Sequence, residues 1–173
     1  TIRAAISKAY GKLLGQLEAK GLVTLAQTEA QAVDAAAQAR ADKTGGDVAQ
    51  IKRSLTAAMQ NGAGLDVKRS ANGAVQGFFD QQTGQSFLIA DNLSAEAAPG
   101  VLMHEVGIHM AADGSMKALF NRAALMLKAQ KADPFMKAVQ AKLDAAGETS
   151  AEEVTAYMVE AYENQRAQAP ASV

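Results

Sequence analysis

One run of the sequence is apolar on almost every side and yet carries both histidines of the chain: Val101-Leu102-Met103-His104-Glu105-Val106-Gly107-Ile108-His109-Met110. A helix that is apolar all round is a buried helix, so this run predicts a helix in the core. Burying an ionised carboxylate and two imidazoles without partners costs several kcal/mol. A divalent cation held by the imidazoles would offset that cost. The alternative is two hydrogen-bonded core histidines and a buried glutamate in a salt bridge.

The spacing of the histidines is one residue longer than in the usual zinc-peptidase motif, His-Glu-x-x-His. Positions four apart on an α-helix differ by about 40° around the axis, whereas positions five apart, such as His104 and His109, differ by about 140°. A π-bulge would restore a shared face, and Gly107 tolerates such a distortion most easily. A zinc site shared by both histidines therefore requires such an irregularity within the motif helix.

The composition limits the other kinds of chemistry. The chain has 173 residues, which suits a single domain. Its 17 basic and 18 acidic side chains leave a net charge of −1, so the charge balance indicates no nucleic-acid partner. The lack of Cys excludes disulfides, thiolate nucleophiles and Cys-ligated metal sites. The sequence shows no membrane-spanning run and no secretion signal, so we expect no membrane partner.

The periodicity predicts an α+β, mostly helical fold, because Ala is abundant and is the best helix former. We expect one domain over residues 1–173 in three parts: a helical part over 1–60, a β-hairpin region over 61–93, and a motif helix with C-terminal helices over 94–166. The predicted helices are 2–19, 27–41, 48–60, 116–130, 134–145 and 150–166. The predicted strands are 22–25, 74–79 and 86–90, with Val67 in a further strand.

A zinc site with two histidines needs a third protein ligand, which here must be a carboxylate or a rarer oxygen donor. Glu152 and Glu153 stand together at the start of the last helix. Ser150 and Glu153 also form a capping-box pattern, so the local pattern fits either role. Both glutamates lie off the apolar stripe that helical spacing predicts for this helix, Val154, Met158, Ala161 and Tyr162. The alternative carboxylates are Glu148, Glu160 and Asp113.

The motif and the later Glu-Glu-x-x-Ala segment, residues 152–156, resemble the gluzincin metallopeptidases with a lengthened motif, the dipeptidyl peptidase III family. That family pairs a His-Glu-x-x-x-His helix with a Glu-Glu-x-x-Ala helix whose second Glu binds zinc. The resemblance implies a zinc-dependent metallopeptidase with His104, His109 and Glu153 as metal ligands. It also implies that Glu105 is the general base on a metal-activated water. The match covers these two short segments.

A longer stretch is similar to the zincin-like metallopeptidase domain of large polyvalent proteins from phages and conjugative elements. It comprises Gly77-Phe78-Phe79-Asp80, Gly84, Leu88-Ile89-Ala90-Asp91-Asn92 and Leu102-Met103-His104-Glu105-Val106-Gly107-Ile108-His109. This resemblance implies a small zincin-like fold with a sheet packed on the metal-binding helices. It also implies a piece of a larger multidomain protein, in agreement with a chain that opens at Thr1, located in the bacterial host cytoplasm or the phage virion.

In zincins, an edge strand beside the metal pairs with an extended peptide substrate. By resemblance, residues 87–93 are that strand, with Leu88, Ile89, Ala90 and Asp91 binding a peptide or protein substrate. Asp91 or Asn92 would orient ligand or substrate, or serve as turn residues. Tyr157, one turn after Glu153, is either a catalytic oxyanion stabiliser or a core residue.

Two other functions stay open. The first is a catalytically inactive zincin-like or helical module that binds a protein partner in a phage or mobile-element protein. The second is a structural domain whose zinc has no open position for water. Metal content and peptide cleavage distinguish the three functions.

Overall fold

The computed structural model describes residues 1–105, 121, 124–125 and 127–168, apart from the side chains at 152, 163 and 166–168. The protein is α+β and mostly helical with a small four-stranded mixed sheet, which confirms the predicted fold class. The chain divides into two compact units, Thr1–Ser94 and Ala95–Val173. The boundary falls next to the predicted end of the β-hairpin region at residue 93. Across the described part of the chain, every helix is too short or too polar to span a membrane.

The first unit contains three helices and four strands and ends in a 3-10 turn. Its elements are α1 (Ile2–Ala19), β1 (Val23–Ala26), α2 (Glu29–Thr44), α3 (Val48–Asn61), β2 (Leu65–Arg69), β3 (Val75–Asp80), β4 (Gln85–Ile89) and the turn Ala90–Asn92. All the predicted helices and strands of residues 1–93 are confirmed, with no end shifted by more than three residues. The side chains of Thr28 and Asp47 cap α2 and α3 by accepting backbone N–H groups of the first turn.

The strand order of the sheet is β1-β4-β3-β2, with β1 parallel to β4 and the other pairs antiparallel. Val67 pairs with Phe78 in β2, which confirms the further strand. Phe78 and Phe87 stack with ring centroids 5.0 Å apart, and α2 and α3 contribute to the same apolar core. The core of this unit therefore lies between these two helices and the sheet.

The expectation that residues 87–93 form an edge strand is wrong. The N-terminal strand β1 pairs with β4 on the side opposite β3, so β4 is an inner strand with neighbours on both sides. Leu88 and Ile89 are fully buried, and Ala90 and Asp91 leave the sheet in the 3-10 turn. Substrate binding by these four residues through strand addition thus loses its structural basis.

Asp91 and Asn92 serve the turn that follows β4. The backbone N–H of Asp91 donates to the carbonyl of Gln27 at 3.0 Å, and the Asp91 carboxylate accepts from the Gln27 side chain. The Asn92 side chain donates to the carbonyl of Val75 at 2.7 Å. The structure therefore gives these residues the turn role that was the alternative to ligand binding.

A buried ion pair joins α2 to the β3–β4 hairpin. Asp80 is fully buried and accepts two hydrogen bonds of 2.8 Å from the guanidinium of Arg40. Its carboxylate also accepts from the backbone N–H of Gln82 at 3.0 Å and from the hydroxyl of Thr83 at 3.2 Å. Each carboxylate oxygen therefore has donors, which is the condition under which a buried charge is tolerated.

The second unit contains α4 (Ala98–Leu102), α5 (Pro134–Ala146) and α6 (Ala151–Gln168) among its described residues. Asp133 caps α5, and Gly147, at φ 69°, ends it. Helix α6 contacts both α4 and α5. The main apolar cluster here consists of Leu127, Met136, Val139, Leu143, Val154, Tyr157 and Ala161. Most of the predicted helix 116–130 lies outside the described residues.

Gly100 permits the close contact between α4 and α6. A Cβ at this position would lie 3.0 Å from Asn164 Oδ1, 3.2 Å from Glu160 Cγ and 3.3 Å from the Glu160 carbonyl oxygen. Real Cβ atoms rarely approach other atoms so closely, and the carbonyl belongs to a helix that cannot yield locally. The glycine therefore sets the distance between the motif helix and α6.

Replacing Asp80 with Ala leaves the buried Arg40 charge without its carboxylate, and we expect a loss of about 3–5 kcal/mol in the free energy of unfolding. The matched control is Asp34→Ala, which removes an exposed carboxylate paired with Lys52 and should cost less than about 1 kcal/mol. Urea denaturation of both variants measures the difference. Equal, small losses would contradict the structural role of the Arg40–Asp80 pair.

Replacing Gly100 with Ala should lower the free energy of unfolding by about 1–3 kcal/mol, because α4 and α6 must separate or strain. The control is Gly15→Ala in α1, where a Cβ meets nothing within 4 Å. That change should stabilise the protein by up to about 1 kcal/mol through helix propensity. Thermal denaturation distinguishes the two, and a stabilising Gly100→Ala would show that the helices are not in tight contact there.

Candidate metal centre

The motif helix departs from α-helical geometry at its first histidine. Directly after α4, the backbone of Met103, His104 and Glu105 is π-helical. This is the kind of irregularity that a site shared by both histidines would require, and it lies at the first of them. Gly107 and His109 lie outside the described residues, and so does the distance between the two imidazoles.

His104 is buried between two glutamates of α6, with only 2% of its surface exposed. Its Nε2 lies 3.4 Å from Glu153 Oε2, and its Nδ1 lies 3.5 Å from Glu160 Oε2. The ring of Tyr157 stands edge-on to the imidazole, with centroids 4.8 Å apart and an interplanar angle of 74°. The structure therefore brings His104 next to Glu153 and Tyr157, which lie about fifty residues later in the sequence. Glu105 follows His104 directly.

The backbone and the side chain of Glu153 contact different residues. Its backbone N–H donates to the Ser150 hydroxyl at 3.2 Å, which is the N-cap half of the predicted capping box. Its carboxylate lies at His104. The helix start is therefore capped by Ser150 while the Glu153 side chain is directed to the imidazole.

Two more buried carboxyl groups lie near the imidazole. Glu105 is fully buried, and Glu160 is 4% exposed. Glu160 Oε1 accepts from the ammonium of Lys142 on α5 at 2.8 Å. Glu160 was only an alternative metal ligand in the sequence analysis, and no sequence pattern indicated Lys142.

The carboxylates change the protonation of His104. Burial, the largest single effect, lowers the pKa of His104, but hydrogen bonding to Glu153 and Glu160 and the charges of Glu105 and Glu153 together outweigh it. The pKa of His104 is raised from 6.5 to about 9. Without a metal, the imidazole is therefore a cation at neutral pH, and a metal ion that binds His104 must displace this proton.

Tyr157 stays protonated in this environment. Burial is the first cause and the charges of Glu153, Glu160, Glu148 and Glu105 follow, and together they raise the pKa of Tyr157 well above its usual 10. The side chain is 5% exposed and belongs to the apolar cluster of the unit. Tyr157 is therefore a core residue that also contacts His104, and its hydroxyl can act as a hydrogen-bond donor but not as a base.

The distance between His104 and Glu153 fits a shared zinc ion. Charge-assisted hydrogen bonds are about 2.7–2.9 Å long. Two ligand atoms about 2.0–2.1 Å from a tetrahedral zinc lie roughly 3.3–3.4 Å apart. The observed Nε2–Oε2 distance of 3.4 Å matches the second arrangement. Imidazole nitrogen and carboxylate oxygen are also ligand types that zinc accepts.

The charges around His104 favour a cation on the Glu153 side. With Glu105, Glu153 and Glu160 ionised, Lys142 and a protonated His104 leave these five groups with a net negative charge. A dication in place of the imidazole proton would make the same groups neutral. The ammonium of Lys142 already occupies the Glu160 side at 2.8 Å, and like charges repel. Glu153 is therefore the better ligand of the two.

The rest of the predicted ligand set cannot be compared with the structure. His109, Asp113 and the side chain of Glu152 lie outside what the structure describes. Within the described residues, no group of three or more His, Asp or Glu side chains is arranged to hold a metal ion. The pair formed by His104 and Glu153 is thus what the structure contributes to the predicted site.

The apolar stripe predicted for the last helix is wrong in part. Tyr162 is 58% exposed and Met158 is only partly buried, whereas Tyr157 and Glu160 are buried with Val154 and Ala161. The stripe rule assumes that polar residues face outward. It fails here because α6 directs carboxylates inward, toward His104 and Lys142.

Asn164 is a further buried polar group that the sequence did not single out. Its Oδ1 has no hydrogen-bond partner among the residues that the structure describes, and it lies 3.0 Å from the position that a Cβ on Gly100 would take.

Comparisons of this chain with protein-family models, with curated proteins and with solved structures find no match.

The raised pKa of His104 predicts how the stability of the chelator-treated protein depends on pH. Because the folded pKa of about 9 exceeds the unfolded value of 6.5, the stabilisation is fully present below the unfolded pKa and is lost as the pH rises through the folded pKa. Between about pH 6 and pH 10, we expect the free energy of unfolding of wild type to fall by up to about 3 kcal/mol more than that of His104→Gln.

Urea denaturation at both pH values measures this difference, and NMR titration of the imidazole signal that is missing in His104→Gln measures the pKa directly. An imidazole that titrates at or below its ordinary value would contradict the described contacts with Glu153 and Glu160.

Proposed function

We propose that this chain is a zinc-dependent metallopeptidase domain that hydrolyses peptide bonds. The observation that carries the proposal is the 3.4 Å approach of His104 Nε2 to Glu153 Oε2. His104 comes from a His-Glu-x-x-x-His motif with a π-helical backbone, and Glu153 comes from the start of α6. The resemblance of the sequence to known families implies both residues as ligands, with His109 as the third.

His104, His109 and Glu153 would hold the ion. Zinc bound there would supply Lewis acidity toward a peptide carbonyl and toward water. Glu105 follows His104 directly and would accept the proton of the attacking water, then pass it to the leaving amine, as a general base and acid. The side chain of Glu105 is fully buried next to His104.

Tyr157 orients the site through its ring. The edge-on contact with the imidazole restricts rotation of His104. Because the hydroxyl remains protonated, it would also donate a hydrogen bond to a developing oxyanion, as a preorganised donor does. The substrate is a peptide or protein, and the resemblance to polyvalent phage and mobile-element proteins suggests a target in an infected bacterial cell or a virion.

The full burial of Glu105 also favours a second candidate function, an inactive zincin-like module. A general base must reach a water molecule that exchanges with solvent. If none reaches Glu105, the zinc would stabilise the fold without catalysis, and the unit would serve as a protein-interaction domain.

The test combines metal analysis with peptide cleavage. Protein purified without chelator should contain one zinc per chain, and His104→Gln and Glu153→Gln should each lose it. Glu105→Gln should keep the zinc and lower the rate of cleavage of a peptide library by about 10²–10⁴-fold, because it removes the general base. The matched control Glu96→Gln alters an exposed glutamate of the same unit. It should leave the zinc content and the rate of peptide cleavage unchanged.

Wild type that binds no zinc would overturn the zinc proposal. Zinc binding with equal cleavage, or none, by wild type and Glu105→Gln would exclude the peptidase and leave the inactive module.

A further inference from the structure

The Glu160 carboxylate lies between the ammonium of Lys142 and Nδ1 of His104, two groups that have no role in the proposed reaction. One oxygen, Oε1, accepts from the Lys142 ammonium at 2.8 Å, and the other, Oε2, lies 3.5 Å from Nδ1 of His104. Glu160 is only 5% exposed at its side chain, whereas Lys142 is 36% exposed. A buried carboxylate with each oxygen facing a different nitrogen is held in one orientation, and the ammonium extends this series of contacts toward solvent.

An imidazole that binds a metal through one nitrogen carries its proton on the other. That N–H is usually held by a carboxylate or carbonyl, which fixes the tautomer and the orientation of the ring. In this protein the two ring nitrogens face different carboxylates. Glu153 lies 3.4 Å from Nε2, and Glu160, which accepts from the ammonium of Lys142, lies 3.5 Å from Nδ1. The two glutamates therefore suit different roles: Glu153 suits that of a metal ligand, and Glu160 suits that of the carboxylate that holds the ring N–H.

Lys142 excludes the reverse assignment. The ammonium at Glu160 Oε1 neutralises that carboxylate and would repel a second cation bound to the same group. It also fixes the oxygen that faces Nδ1, because a carboxylate has little freedom once one oxygen is held at 2.8 Å.

We propose that Glu160, held by Lys142, is a positioning residue that keeps the His104 proton on Nδ1 and presents Nε2 to the metal. The inference rests on the proposed zinc site but not on its catalytic activity. It gives the inward-facing Glu160 of α6 and the half-buried Lys142 of α5 a shared function that no motif in the sequence indicates.

The test measures the affinity for zinc by competition with a chromophoric chelator. Glu160→Gln keeps the size of the side chain but removes its charge, and it should weaken zinc binding by about ten- to a hundredfold. Lys142→Met keeps the aliphatic stem and should weaken binding in the same direction by a smaller factor. Lys137→Met, the same change at an exposed position on the same helix, should have no effect.

The visible spectrum of the cobalt(II)-substituted protein gives a readout that a purely structural role would not change. Glu160→Gln should shift the d–d bands, because the orientation of the His104 ligand changes. Glu160→Asp, which retains the charge, should restore part of the affinity. Circular dichroism confirms that each variant is folded, and Lys142→Met keeps the inference testable if Glu160→Gln does not fold.

Wild type and Glu160→Gln with equal zinc affinity and the same cobalt spectrum would overturn the inference while leaving the zinc site intact. Wild type that binds no zinc would instead overturn the proposed function, and this inference with it.

Discussion

The second unit depends on how buried negative charge around one imidazole is neutralised. Glu105, Glu153 and Glu160 are all largely withdrawn from water, and the first is fully buried. Carboxylates in such a place require positive partners. The structure provides the ammonium of Lys142 and, without a metal, a proton on His104, whose pKa rises to about 9 for this reason. In the proposed zinc site, a divalent cation in place of that proton would complete the neutralisation.

Other features of this unit serve the same arrangement. Gly100 lets α4 approach α6 closely enough for His104 to reach the glutamates, because any larger side chain would meet Glu160. Ser150 caps α6 through the Glu153 backbone, which leaves the Glu153 carboxylate to lie at the imidazole. The π-helical backbone at His104 and Glu105 changes the direction of side chains within the motif helix.

The first unit shows how the same chain buries charge for structure alone. Asp80 accepts two bonds of 2.8 Å from Arg40 and two more from its own loop. These are short, saturated contacts between an anion and its cation. The distances of 3.4 and 3.5 Å around His104 are longer. Asp80 and Arg40 thus form a completed ion pair, whereas the groups around His104 are farther apart, as the proposed zinc site would require.

Local signals in the sequence predicted most of the elements. Three helices begin at residues whose side chains favour the N-cap position, Thr28, Asp47 and Asp133, and Gly147 ends α5. The position of β4 was missed because β1 pairs with it across about sixty residues, and such a non-local pairing leaves no local pattern. Lys142 was missed for the same reason, since its partner Glu160 lies on another helix. The choice of Glu153 over Glu152 as the proposed ligand came only from the resemblance to a known family.

The most direct test of the zinc site is a crystal structure of the zinc-loaded protein, with the metal located by anomalous scattering at the zinc edge. The structure described here predicts one zinc within about 2.1 Å of both His104 Nε2 and Glu153 Oε2, with Glu160 on the opposite side of the imidazole. A zinc bound elsewhere, with His104 and Glu153 drawn together into a direct hydrogen bond of about 2.8 Å, would contradict it.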